Sequence, residues 1–175
     1  GLKDLLLAEC GKAPGPKTTL KDAYTYASRK IPAFPEFLRE CFTVGRVHPW
    51  QAKIFQYVWS RIYTTNIDNV LNVAYDQTRS ARKAAAEFSF LNYADMGILG
   101  QSIGTVPVIT IHGSINHLDD GFIFSGGEYG IASSRKVMDW HNELAARMLV
   151  GGLIVIGNQL DESDFDTHLA ARERE

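Results

Sequence analysis

The chain of 175 residues has little of several things, and each scarcity removes a class of protein. It holds two cysteines, Cys10 and Cys41, too few for a four-thiolate zinc site and unlike the dense pairing of a secreted disulfide scaffold. Such usage fits a reducing compartment, and a cytoplasmic setting is expected. The longest apolar run, residues 149–156, includes two glycines and falls far short of the roughly 20 residues a membrane-spanning helix requires. The first residues lack the basic region, apolar run and small-residue cleavage site of a secretory leader, so no membrane partner is expected. An excess of one charge is missing too. With net charge −2, a pI near 6.2 and scattered basic residues, the chain lacks the footprint of a nucleic-acid binder. The local exception is residues 161–175, with six acids against two arginines, which read as a solvated helix face.

What is present suffices for a core. At 45% hydrophobic and 22% charged residues, the composition is that of one globular domain. At this length roughly 70% of the unfolded chain's surface can be buried, so no metal or disulfide framework is needed.

Residues 1–59 read as a helical segment with proline- and glycine-rich joints. Thr18 or Thr19 is placed to cap a helix running through Lys30, and another is expected near Glu36 to Phe42 with Phe37, Leu38 and Cys41 on one face. Pro49 suits a first turn, followed by Ile54, Phe55, Val58 and Trp59 at helical spacing. Residues 60–175 read as an α/β core. Arg61 to Thr65 is a β-branched and aromatic strand leading through an Asn-rich turn into a helix reaching about Asp76. Further strands are expected at Val106 to Ile111, Gly121 to Phe124 and Leu153 to Ile156. Ala81 to Ala86 reads as a helix end or connector. Before the last strand, Ser134 to Leu149 carries Val137, Trp140, Leu144 and Met148 on one helical stripe. Trp50, Trp59 and Trp140 read as core, and His48, His141 and His168 as structural or exposed.

Near-continuous apolar strands separated by helices predict a three-layer, Rossmann-like α/β fold, a parallel sheet with helices on both faces. Such sheets bind ligands beyond the carboxyl ends of their strands. The polar residues just past those ends are Asn66 and Asp68, His112 and Ser114, Gly126 and Glu128, and residues 157–159. Taken singly, each has a plain structural use. Asn66 can cap a helix, Asp68 can oppose a helix dipole, and His112 can sit in a turn. His112, His117, Asp119 and Asp120 match no metal-ligand spacing, and no metal is expected. Ser114 beside His112 is no catalytic triad, since the chain has no G-x-S-x-G elbow.

In order along the chain stand Thr64-Thr65-Asn66-Ile67-Asp68, Ile111-His112-Gly113-Ser114, Phe122-Ile123-Phe124-Ser125-Gly126-Gly127-Glu128, and Gly157-Asn158-Gln159-Leu160-Asp161-Glu162-Ser163-Asp164-Phe165. This series, from about residue 59 onward, resembles the Sir2 family, in particular the SIR2-like domains of bacterial anti-phage defence proteins. The resemblance implies an NAD+ hydrolase releasing nicotinamide and ADP-ribose, with NAD+ as substrate and depletion of NAD as the defence. It implies catalytic roles for Asn66, at the ribose or attacking water, and His112, in proton transfer. Thr65, Asp68, Ser114, Gly157 and Asn158 are implied as contacts to NAD. Either a homo-oligomer or an attached effector or sensor domain fits such proteins.

Two departures refine the expectation. Zinc-binding sirtuins carry two C-x-x-C pairs where this chain has nine residues, 113–121, none of them cysteine. That favours a zinc-free NAD hydrolase over a protein deacylase. The family's G-A-G-x-S loop, whose backbone amides receive the NAD phosphates, is also missing. The chain is therefore expected to be a fragment that binds or cleaves NAD poorly alone. The alternative from another class is a non-catalytic module that senses NAD or ADP-ribose; a zinc-free NAD-dependent deacylase is the third reading.

Overall fold

The computed structural model describes residues 2–95, 104–124, 128, 139–150 and 152–156. Among the described residues, six helices and a three-stranded parallel sheet make a mixed α/β structure. The helices α1 (Leu2–Glu9), α2 (Leu20–Lys30), α3 (Phe34–Phe42) and α4 (Pro49–Ala52) precede the first strand. Strand β1 (Ile62–Thr64) leads into α5 (Val70–Ser80), followed by β2 (Glu87–Asn92), β3 (Thr105–Thr110) and α6 (Asp139–Val150).

Local chemistry explains the helix ends. Thr19 Oγ1 accepts from the Asp22 amide while Asp22 Oδ2 accepts from the Thr19 amide, a reciprocal cap at the start of α2. Such a cap contributes about 1 kcal/mol. Arg29 and Lys30 stand in its last turn, where positive charge offsets the dipole. Pro35 opens α3 and Pro49 opens α4, as the lost N–H of a first-turn proline costs nothing. After α4 the chain tightens into a 3-10 turn at Lys53–Gln56.

The strand order is β1-β3-β2, with Ile62 beside Val108 and Phe88 beside Val106. Because all three strands are parallel, their carboxyl ends share one edge, where Thr64, Thr110 and Asn92 stand in register. Alternation divides the side chains between two clusters. Ile62, Phe88 and Val108 pack with Phe55 of the 3-10 turn and with Ala74 and Tyr75 of α5. Ile109 and Ile111 pack with Trp140, Leu144 and Met148 of α6, as the expected helical stripe requires. A third cluster joins Leu6 and Leu7 of α1, Ala23, Tyr24 and Ala27 of α2, and Phe34 and Leu38 of α3 to Ile67, Ile115 and Phe122. The helical segment thus packs on the loops that follow β1 and β3.

Several expectations are corrected. Residues 121–124 form no strand; Phe122 and Ile123 are buried from a loop. Residues 152–156 carry no regular secondary structure, and Leu153, Ile154, Val155 and Ile156 are exposed, Ile154 at 68%. Apolar residues make a strand only where a ladder partner receives their N–H and C=O groups, and hydropathy says nothing of that partner. Trp50 is 60% exposed on a four-residue helix, and Val58, past the end of the 3-10 turn, is 87% exposed. The expected helical stripe there is cut short, leaving Phe55 as its buried residue. Cys41 is exposed on α3 while Leu38 is fully buried. Strand β2 was unforeseen, and it begins one residue after the alanine-rich connector. His48 is exposed, its Nδ1 accepting from the Trp50 amide.

Candidate functional site

The T-T-N-I-D segment leaves β1 and the H-G-S segment leaves β3 at the same edge of the sheet. Two backbone hydrogen bonds tie them together: the Ile111 amide donates to the Thr64 carbonyl at 3.0 Å, and the Ile115 amide to the Ile67 carbonyl at 2.9 Å. These bonds bracket Thr65 and Asn66 on one strand end and His112, Gly113 and Ser114 on the other. Ile67 and Ile115, one on each loop, are both buried beneath the helical segment. The backbone therefore holds the two loops together at both ends of this bracket.

Asn66 is exposed and Thr65 half-buried. The Asn66 amide donates to Thr64 Oγ1 at 3.1 Å, which tightens the turn without using the Asn66 carboxamide. His112 is half-buried, and its carbonyl accepts from the Ile123 amide at 3.0 Å. Gly113 has φ +96°, and a Cβ there would stand 2.5 Å from the Gly121 carbonyl oxygen. Only glycine permits this approach, which presses the Gly121–Ile123 stretch against the His112 turn.

The other implied NAD contacts have structural work of their own. Asp68 Oδ1 accepts from the Val70 amide at 3.0 Å and so caps the start of α5. Burial raises the carboxyl's pKa, and the Val70 N–H partly offsets this. Ser114 is 3% exposed, its Oγ accepting from the Asn116 amide at 3.2 Å. Gly157 and Asn158, like Gly126, lie outside the described residues.

Two side chains that the sequence does not single out, Asn69 and Asn92, and one that it does, Glu128, hold loops in this region. Asn69 clamps the segment after α3, its Oδ1 accepting from the Val44 amide at 2.8 Å and its Nδ2 donating to the Val44 carbonyl at 3.1 Å. Glu128 accepts from the Phe124 amide at 2.9 Å and is hydrogen-bonded to the buried Tyr24 hydroxyl. Burial, followed by the Glu128 charge, pushes the Tyr24 pKa upward. At the end of β2, Asn92 is fully buried, with Nδ2 donating to Asp120 Oδ2 at 2.7 Å and Oδ1 accepting from Thr110 Oγ1 at 3.0 Å. A buried asparagine following an apolar run is the available signal, but it is legible only once β2 is recognised as a strand.

Among the described residues, no group of three or more histidine, cysteine, aspartate or glutamate side chains is placed to hold a metal ion. His117 Nδ1 lies 4.0 Å from Asp120 Oδ2, an exposed pair. No described helix is long and apolar enough to cross a membrane. The loops beyond β1 and β3 thus carry the exposed Asn66, the half-buried His112 and the half-buried Asp68 close to one sheet edge. Searched against protein-family models and curated proteins, the chain matches none.

Proposed function

We propose that the chain is the α/β body of a SIR2-like NAD+ hydrolase acting in anti-phage defence, built as a three-layer, Rossmann-like domain. The observation that carries this reading is the pair of backbone bonds, Ile111 to Thr64 and Ile115 to Ile67, which brings T-T-N-I-D and H-G-S to one sheet edge. Order in sequence and adjacency in space are separate requirements, and the two motifs meet both. The layering is supported by α5 and α6 packing with alternate residues of the strands.

In the proposed reaction the bond between ribose C1′ and the nicotinamide nitrogen breaks, and its electron pair neutralises the pyridinium. Water adds its oxygen to C1′, and the proton it loses leaves through His112, since an imidazole can both accept and release a proton. Asn66 orients the ribose or the water with its exposed carboxamide. The products are ADP-ribose, neutral nicotinamide and a proton.

A binding module for NAD or ADP-ribose is the second reading, favoured by the structural bonds of Asp68 and Ser114. Full-length protein incubated with NAD+ distinguishes the two by nicotinamide release. Hydrolysis lost in His112→Ala and Asn66→Ala supports the enzyme. Ligand-induced thermal stabilisation without release supports the module, and release unchanged in both variants overturns the site assignment.

A further inference from the structure

The described loops hold a second set of polar contacts behind the His112 turn. Asp120 is gripped twice from the end of β2: its Oδ2 accepts from Asn92 Nδ2 at 2.7 Å, and its carbonyl accepts from the Tyr93 hydroxyl. Asn92 is itself anchored to β3, since the single hydroxyl proton of Thr110 is shared between Asn92 Oδ1 at 3.0 Å and the Leu91 carbonyl at 3.1 Å. Asp95 Oδ2 accepts from the Asn92 amide, closing the turn after β2. Immediately past Asp120, the Gly121 carbonyl oxygen lies 2.5 Å from where a Cβ on Gly113 would be, and the Ile123 amide donates to the His112 carbonyl. A continuous path of hydrogen bonds and close contact therefore leads from the buried Asn92 to the backbone of His112.

We propose that Asn92, Tyr93 and Asp120 are positioning residues that set the His112–Gly113 turn by clamping the Gly121–Ile123 stretch against it. None of the three need touch substrate, and their catalytic consequence rests on the NAD-cleaving reading of His112. The clamp uses a fully buried asparagine whose carboxamide bridges the end of β3 and the Leu118–Asp120 turn, and that fixes one geometry more firmly than an apolar side chain could. Asp120 lies at the surface, so changing it leaves the core intact.

The test compares Asp120→Ala with Asp120→Asn in full-length protein, reading amide hydrogen exchange at Ile123 and the kinetics of nicotinamide release from NAD+. Asp120→Ala removes the acceptor; Asp120→Asn keeps an acceptor oxygen for Asn92. The expected result is Ile123 exchange about tenfold faster in Asp120→Ala and near the wild-type rate in Asp120→Asn. Correspondingly, kcat falls about tenfold or more with KM within about twofold in Asp120→Ala, and Asp120→Asn restores it. Unchanged exchange in Asp120→Ala, or equal acceleration in both variants, overturns the clamp. If exchange responds while wild-type protein releases no nicotinamide, the clamp stands and the NAD-cleaving reading fails. Should Asp120→Ala not fold, Tyr93→Phe loosens the grip on the Asp120 carbonyl and is read by the same exchange, where no acceleration again contradicts the proposal.

Discussion

Strands β1 and β2 flank β3 on opposite sides, and their carboxyl ends are held by different means. After β1, backbone amides and carbonyls join the chain to the β3 loop, leaving the Asn66 carboxamide exposed. After β2, side chains do the joining: Asn92 lies buried between Thr110 and Asp120. The contrast teaches that a carboxamide on this sheet edge is left exposed or drawn into the architecture according to what holds its loop. Where the main chain closes the contact, the side chain is spared; where the side chain closes it, its hydrogen-bonding capacity is consumed.

The largest effect expected from breaking this contrast is at the junction between the two sides. Gly113→Ala forces a left-handed conformation on alanine and drives a methyl group into the Gly121 carbonyl. A loss of about 3 kcal/mol or more is expected, read as a lowered denaturation midpoint. Next comes Asn92→Ala, which leaves Thr110 and Asp120 without their shared partner and opens a small cavity. A loss of about 2–3 kcal/mol is expected in the same measurement. On the β1 side Asn66→Ala is expected to shift stability by no more than about 0.5 kcal/mol, since the side chain is exposed. If Asn66→Ala proves as destabilising as Asn92→Ala, the distinction between the two ends collapses.

The smallest effect concerns Asp68 and carries a definite pH dependence. Burial raises its carboxyl pKa in the folded state, so the folded protein holds the proton to higher pH than the unfolded chain does. Stability is lost as pH climbs from the ordinary carboxyl value of about 3.9 through the raised one, and the penalty persists at neutrality. Asp68→Asn retains an oxygen to accept from Val70 and carries no charge. It is expected to raise Tm slightly at pH 7 and to bring no gain near about pH 3, where the carboxyl is protonated in both states. A gain of equal size at both pH values would exclude desolvation as its cause.

Much of this architecture was legible in the residues. Thr18 or Thr19 announces the start of α2, Pro49 opens α4, and Trp140, Leu144 and Met148 announce the buried face of α6, because capping and helical periodicity are local properties. Strands β1 and β3 were readable from β-branched apolar runs. Strand β2 was not, since Glu87–Asn92 follows an alanine-rich connector and is defined by its pairing with β3, a non-local fact. The same blindness to pairing made residues 121–124 and 153–156 look like strands. The motif residues beyond β1 and β3 were identified in sequence, and the structure adds the backbone bonds that bring them together. The clamp at Asn92 was hidden because neither Asp120 nor Tyr93 is meaningful until the Leu118–Asp120 turn is seen against β2.

The central claim, that the β1 end performs chemistry while the β2 end performs architecture, is tested most directly by nicotinamide release from NAD+ in full-length Asn66→Ala protein with an unchanged denaturation midpoint. Release abolished in this stable variant is the predicted result. Release at the wild-type rate would contradict the account.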